Sequence, residues 1–238
     1  MGLWIAATMG AFFVKGLCGF ANTLVFTSIL GFGSDNINIS PVELVLGFPT
    51  NLILVWKERK NLRPGVFVPL TALVLGGSVV GAFFLKNADA QVLKAGFGFM
   101  VVFMGIEMLF RECGRGRMKE SRVVLGIIGL AAGVLSGLFG VGALLAAYVS
   151  RVTDNSREFK ANFGAVFIVE NLFRMVVYGA LGIITGSTLR QSVMLMPFML
   201  IGLIVGMKSS QVLDEKLVKR LVIVLLILSG GVMIVKNL

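Results

Sequence analysis

The stretch Ser136-Gly-Leu-Phe-Gly-Val-Gly lies in the middle of an apolar run that covers residues 123–149, and it decides the fold. A related stretch, Lys15-Gly-Leu-Cys-Gly-Phe-Ala-Asn-Thr-Leu, lies 121 positions earlier, within the first apolar run, 3–33. That first run has 31 residues and would be about 46 Å long as a helix, whereas the hydrocarbon core of a bilayer is about 30 Å thick. Two geometries fit: one long tilted helix, or a helical hairpin that is broken at the glycines and returns to the same side.

The composition indicates a membrane protein. Hydrophobic residues make up 57% of the 238, charged residues only 14%, and the mean hydropathy is +0.94. Soluble domains contain about 45–50% apolar and about 25% charged residues. We therefore expect the lipid bilayer as a partner and a single membrane domain over residues 1–238. The net charge of +10 does not indicate a nucleic-acid partner, because Lys and Arg lie mostly in short loops between apolar runs, where they set membrane orientation.

Four apolar runs on each side of a basic central loop, 111–122, form a sequence repeat that we bound at 1–112 and 121–238. The eight runs cover residues 3–33, 41–56, 66–85, 92–110, 123–149, 159–184, 192–207 and 217–235. Three further pairs of equivalent residues match between the halves: Asn51 with Asn171, Gly77 with Gly202, and Gly81 with Gly206.

The loop charges favour the hairpin geometry. If each first run is a hairpin, one side of the membrane receives 16 Lys and Arg and the other receives 4, with Lys15 and Arg174 inside the membrane. If the first runs cross fully, the split is 11 to 9. The positive-inside rule favours the uneven split. Each half then crosses three times, so we expect an all-α membrane protein of two inverted repeats, each a glycine-broken helical hairpin plus three transmembrane helices.

Lys15 is the first candidate binding residue, because a lysine at membrane depth costs about 2.5–3.5 kcal/mol on insertion scales. It sits beside the glycines of the first run, with Asn22 and Thr23 just beyond. We expect these three side chains to attract an anion near the hairpin tip. The alternative is that Lys15 extends its ammonium group to the membrane surface from a shallow hairpin.

The second group of candidates lies in the run 159–184. Glu170 and Arg174 are four residues apart and share a helix face. They form either a structural ion pair, or an anion ligand, Arg174, with a proton-sensitive partner, Glu170, as the coupling candidate. Asn171, at the same repeat position as Asn51, is expected beside them near the centre. Glu43 and Glu107 lie near run ends, where we expect the membrane interface.

Gly140 and Gly142 are candidates of another kind, because glycines can expose backbone N–H groups to an anion as helix N-termini do. The alternative for them is close helix packing. Asn51 follows Pro49, and a plain kink with interhelical hydrogen bonds is likewise its alternative.

These features together resemble the TauE/SafE-type sulfite exporter family. The resemblance rests on Ser136-Gly-Leu-Phe-Gly-Val-Gly, the four-run duplication and the glycine pair of each third run, and it covers nearly the whole chain. It implies membrane transport of sulfur-containing or organic anions such as sulfite, thiosulfate or sulfonates. The first half departs from the glycine-rich tip of the family with Phe20-Ala-Asn-Thr, so we expect the side chains of Lys15, Asn22 and Thr23 to substitute there.

An enzyme is not expected, because the chain has no His, no G-x-S-x-G elbow and no H-E-x-x-H motif. We expect no cofactor and no metal. A passive anion channel and a non-transport assembly subunit remain as alternatives to a transporter. The sequence leaves open the coupling ion, proton or sodium, and whether the chain forms a homo-oligomer.

The charge split predicts a multi-pass protein of the cell (inner) membrane with both termini outside and the loop 111–122 in the cytoplasm. A Gly116→Cys variant, made after Cys18 and Cys113 are replaced by serine, should react with a membrane-impermeant thiol reagent only after the membrane is opened. Reaction of intact cells at residue 116 would overturn this topology.

Overall fold

The computed structural model describes residues 1–31, 36–87, 122–140 and 142–210, together with isolated positions between 89 and 106 and between 223 and 235. The predicted loop 111–122, with Glu107 before it, lies outside the described residues apart from Arg122, and so do most of the predicted runs 92–110 and 217–235.

All regular elements of the described ranges are helical. The α-helices are α1 (Gly2–Cys18), α2 (Asn22–Leu30), α3 (Asn36–Glu58), α4 (Pro64–Asn87), α5 (Arg122–Phe139), α6 (Ala143–Val152), α7 (Ser156–Ala180) and α8 (Gly186–Ser209). A 3-10 turn, Arg59–Asn61, follows α3. Among the described residues, four stretches are long and apolar enough to cross a membrane: Asn38–Asn61, Pro64–Leu85, Ser156–Ala180 and Gly186–Ser209. They correspond to the second and third apolar runs of each half.

Both first runs are broken where the glycines predict. α1 ends at Cys18, and the N–H of Gly19 (φ 86°) donates to the Lys15 carbonyl at 2.7 Å. In the second half the N–H of Gly140 (φ 72°) donates to the Ser136 carbonyl at the same distance, 2.7 Å. Glycine adopts this left-handed conformation without the steric cost that a side chain adds. The alternative of one long helix over residues 3–33 is therefore wrong.

α2 folds back along α1 after the first break. The Phe26 ring packs edge-on against Trp4, near the start of α1, with ring centroids 5.8 Å apart. Phe26 and Leu30 also share a buried apolar cluster with Ala7 and Phe12 of α1. The first run thus forms the predicted helical hairpin, and its tip carries residues 19–21.

Glycines bring the broken helix of each half against the third-run helix of the other half. In α8, a Cβ on Gly202 would lie 2.6 Å from the Met9 carbonyl oxygen and one on Gly206 would lie 2.1 Å from that of Phe13, both in α1. In α4, a Cβ on Gly81 would lie 2.2 Å from the Val134 carbonyl oxygen of α5. Such close backbone contact is how small residues hold membrane helices together without a hydrophobic driving force.

The second-run helices, α3 and α7, pack against each other between these two pairs. α4, of the first half, packs on α7, of the second half, and α8, of the second half, packs on α3, of the first. Each pairing thus has a counterpart in which the two halves exchange roles. A duplicated sequence produces this pattern. The bounds of the two repeats and their inverted orientation remain predictions.

Gly76 and Gly77 of α4 offer a matched test of the close packing. A Cβ on Gly77 would lie 2.3 Å from the Leu130 carbonyl oxygen, whereas the nearest atom to a Cβ on Gly76 is 3.9 Å away. We expect Gly77→Ala to lower the free energy of unfolding by about 1–3 kcal/mol, because α4 and α5 must separate. Gly76→Ala should leave it unchanged or raise it by up to about 1 kcal/mol. Thermal unfolding in detergent measures both, and equal effects would contradict this packing.

Candidate functional site

A cavity lined by both charged and apolar side chains lies where the tip of the α1–α2 hairpin and the break between α5 and α6 meet α3 and α7. All eight residues predicted to bind substrate line it: Lys15, Asn22, Thr23, Asn51, Gly140, Gly142, Asn171 and Arg174. The rest of the lining is Phe20, Ala21, Leu24, Glu43, Phe163 and Phe167. The structure thus brings the candidates together, while their binding role stays a prediction.

Lys15 points into the protein from the last turn of α1. It is 2% exposed, and its ammonium group donates to the Gly47 carbonyl of α3 at 3.5 Å. The same carbonyl accepts the Thr50 hydroxyl at 2.6 Å. Because the ammonium group contacts α3, the alternative in which it reaches the membrane surface does not describe it.

Glu43 is the residue that the sequence analysis misplaced. It was expected at the membrane interface because the apolar run begins at residue 41, but α3 begins at Asn36 and carries Glu43 into the protein. Glu43 is 3% exposed, lines the cavity, and accepts a hydrogen bond from the Asn22 amide on the hairpin tip. The sequence feature that indicated this position of Glu43 is that it lies eight residues before Asn51 on the same helix.

Arg174 and Glu170 form a buried ion pair behind the cavity wall, with Nε and Oε1 3.3 Å apart. The same Glu170 oxygen accepts the hydroxyls of Ser78 at 3.0 Å and Ser136 at 2.7 Å. Arg174 donates to the Ser136 carbonyl and to the Asn171 side chain at 3.2 Å. Arg174 lines the cavity but Glu170 does not, so the anchored carboxylate holds a guanidinium that faces the cavity.

Gly140 leaves space for two opposite charges. A Cβ there would lie 2.8 Å from Nη1 of Arg174 and 3.0 Å from Oε2 of Glu43. Arg174 and Glu43 therefore approach the same point of the α5–α6 break. Gly142 lies against Phe167 instead, where a Cβ would be 2.2 Å from the ring. Gly142 thus packs closely against α7 as well as lining the cavity, while Gly140 gives the charged groups access to the break.

Phenylalanines form one wall of the cavity. Phe159, Phe163 and Phe167 follow one another at every fourth residue of α7, with ring centroids 5.4 and 4.7 Å apart. Phe20 of the hairpin tip packs edge-on against Phe159 and Phe163, at 5.8 and 6.3 Å. These phenylalanines are not among the residues predicted from the sequence, although their spacing on the helix that carries Arg174 was a signal for them.

The charges around the cavity balance within the described part of the chain. Lys15 and Arg174 bring two positive charges, and Glu43 and Glu170 bring two negative ones when ionised. Charges are buried in membrane proteins only when they are paired or line a cavity, and they mark substrate pathways there. The arrangement makes this cavity the candidate binding site of the protein for a charged or polar ligand.

The comparisons with known proteins name the family. The family description Sulfite exporter TauE/SafE matches residues 4–233, which is nearly the whole chain. The chain therefore belongs to the TauE/SafE sulfite exporter family, and it is an integral membrane protein. This family implies a membrane transporter of sulfite or related sulfur anions rather than an enzyme. Neither the curated proteins nor the solved structures contain a match to the chain.

A double-mutant cycle separates the structural role of the ion pair from a binding role. We expect Arg174→Met or Glu170→Met alone to lower the free energy of unfolding by about 3–5 kcal/mol, because each leaves a buried charge unpaired. The double variant should regain most of this loss. Unfolding in mixed micelles with increasing SDS measures all three.

A double variant that loses the sum of the two single effects would show that the two side chains do not act as a pair. If the double variant is stable and no longer binds sulfite, Arg174 is needed for more than pairing with Glu170.

Proposed function

We propose that the chain is a secondary transporter of small sulfur-containing or organic anions, in the class of sulfite, thiosulfate and sulfonates. The observation that carries this proposal is the convergence of two buried cations, Lys15 and Arg174, on one cavity between two helix breaks. Positive charge facing a cavity at membrane depth is costly without a ligand or a partner, and an anion is the ligand that such a site attracts.

Two helix N-termini add to the attraction. α2 begins after Ala21 and α6 begins after Gly142, and neither start has a side-chain cap. Both capping residues line the cavity. The first N–H groups of a helix have no partner within it, and together with the helix dipole they favour a negative group. Short helices that end at the site supply the same type of anion contact in transporters with discontinuous helices.

The uncharged lining supports a small oxyanion with or without an organic group. Asn22, Asn51 and Asn171 carry amides, and Thr23 carries a hydroxyl, all of which can donate to sulfur-bound oxygens. The apolar part of a sulfonate would lie against the phenylalanine wall. These side chains are the substrate-binding set that we propose, with Gly140 admitting the ligand to Arg174.

Our proposal for the membrane arrangement is taken from the sequence. We propose inverted repeats at 1–112 and 121–238 in the cell membrane, with outside termini and a cytoplasmic loop 111–122. Alternate opening of the cavity at the two helix breaks would then expose one site to each side in turn. Irregular backbone at that depth is tolerated because it lines a cavity.

The alternatives differ in what they require. An assembly subunit would need carboxylates from another chain to pair with Lys15 and Arg174, but Glu43 and Glu170 of the same chain lie beside them.

A passive channel is distinguished by counterflow: only a carrier takes up radiolabelled sulfite faster when unlabelled sulfite is inside the proteoliposome. Uptake that runs only down the gradient, with no counterflow, would favour the channel.

Lys15→Met tests the site within this assay. We expect at least about 30-fold weaker sulfite binding, equivalent to about 2 kcal/mol or more, because a buried charged donor to the anion is removed. The variant should remain folded, since it also removes a costly buried charge. Lys57→Met, on the exposed end of α3, is the control and should match the wild type. Sulfite affinity and uptake near the wild-type values in Lys15→Met would show that the lysine is not part of the site.

A further inference from the structure

We propose that Glu43 is a proton-binding site that links each bound anion to one proton. This inference rests on the proposed function, because it concerns how the same cavity accepts its anion. It moves the coupling role from Glu170, the candidate that the sequence suggested, to a carboxyl group that lines the cavity.

Glu43 stands between the two cations. Near the hairpin tip, Lys15 donates to the Gly47 carbonyl, and Oε1 of Glu43 would lie 3.1 Å from a Cβ on that same glycine. On the other side, Oε2 of Glu43 and Nη1 of Arg174 both reach the face of Gly140. One carboxylate is thus placed to neutralise whichever cation an anion would approach.

In the described part of the chain, the charged groups that act on Glu43 come from α1 and α7. α1 contributes Lys15, and α7 contributes Arg174 and Glu170. One turn further along α7, the Tyr178 hydroxyl forms a hydrogen bond with Ser40 of α3 at 3.1 Å. α2 and the region of the α5–α6 break present uncharged groups there: Asn22, Thr23, Ser136, Gly140 and Gly142. The local charge is therefore set by four ionisable groups and the phenol.

The anion and the ionised Glu43 compete for the same positive charge. With Glu43 and Glu170 both ionised, the two cations are already balanced, and an anion would add uncompensated negative charge to a region of low dielectric. A proton on Glu43 leaves one net positive charge. It also turns the carboxylate, which only accepts hydrogen bonds, into a group that can donate one to the anion.

Glu170 is placed for a different task. One of its oxygens accepts two serine hydroxyls and faces the Arg174 guanidinium, and the residue is fully buried behind the cavity wall. Glu43 instead accepts hydrogen bonds from the Asn22 amide and the Thr23 hydroxyl, and both of these α2 residues line the cavity. Its carboxyl group lines the cavity and can exchange a proton with water that enters with the anion.

The transport step balances in protons and charge. As the anion binds, the Glu43 carboxylate takes one proton from the same side and becomes a carboxylic acid. When the anion leaves on the other side, the acid releases that proton there. One anion and one proton move in the same direction, so a monovalent sulfonate would move without net charge, and a doubly charged thiosulfate would carry one negative charge.

Proton uptake by the wild-type protein is the first test. Thiosulfate is the probe, because it stays ionised between about pH 5 and about pH 8, so a pH dependence of its binding in this range comes from the protein. Purified protein in weakly buffered detergent should take up about one proton per thiosulfate bound, and affinity should fall about tenfold per pH unit above the ionisation of Glu43. Binding with no proton uptake and no dependence on pH would overturn the proposal.

Glu43→Gln, compared with Glu170→Gln and Glu58→Gln, assigns the proton. Glutamine keeps an oxygen for the Asn22 amide but cannot ionise, so Glu43→Gln should bind thiosulfate with the same affinity at every pH and without proton uptake. It should keep counterflow but lose accumulation driven by a proton gradient. Glu170→Gln and Glu58→Gln should keep the pH dependence, whatever their affinity.

The outcomes separate this inference from the proposed function. A wild-type protein that neither binds nor exchanges any of the anions tested overturns the proposed function itself. A wild-type protein that transports anions, together with a Glu43→Gln variant that keeps the wild-type proton uptake, overturns only the role of Glu43. Loss of the pH dependence in Glu170→Gln but not in Glu43→Gln would return the coupling role to Glu170.

Discussion

Compensation of buried charge is the constraint on which the rest of this structure depends. Two cations lie at the centre of a membrane protein, where each needs a partner in a region of low dielectric. The Arg174–Glu170 pair, with Ser78 and Ser136, connects α7 to α4 and α5. A second polar network connects α1 and α2 to α3, and it consists of Lys15, Gly47, Glu43 and Asn22. These two polar networks meet at the cavity, and the glycine contacts let the outer helices close around them.

The helix breaks and the charges explain each other. Irregular backbone at membrane depth survives only when protein or a cavity satisfies its polar groups. The Lys15 and Ser136 carbonyls each accept the N–H of the left-handed glycine that ends the helix. The Ser136 carbonyl also accepts Arg174, while Lys15 extends its own ammonium group across the cavity to α3. The two breaks share this backbone hydrogen bond but carry different side chains, so the two sides of the site differ.

Much of this was predictable from the sequence because it is local. The breaks at Gly19 and Gly140 follow from glycine spacing, and pseudo-symmetry placed Asn51 and Asn171 together. Three features were not predictable from local pattern. Glu43 required knowing where α3 begins, the phenylalanine wall required knowing which face of α7 turns inward, and the pairing of α1 with α8 is a contact between distant segments. The eight candidate residues lie together as the sequence predicts. No sequence pattern could have shown that the carboxylates of Glu43 and Glu170 balance the charges of Lys15 and Arg174.

The most direct measurement is a crystal structure with selenite, the selenium analogue of sulfite, recorded so that selenium can be located by its anomalous scattering. The account predicts one selenium peak in the cavity, within hydrogen-bonding reach of Lys15 and Arg174 and bordered by Asn22, Asn51 and Asn171. It predicts no such peak in crystals of Lys15→Met. Selenium bound only at surface loops, with the cavity empty in the wild type, would contradict the central claim that the two buried cations form an anion site.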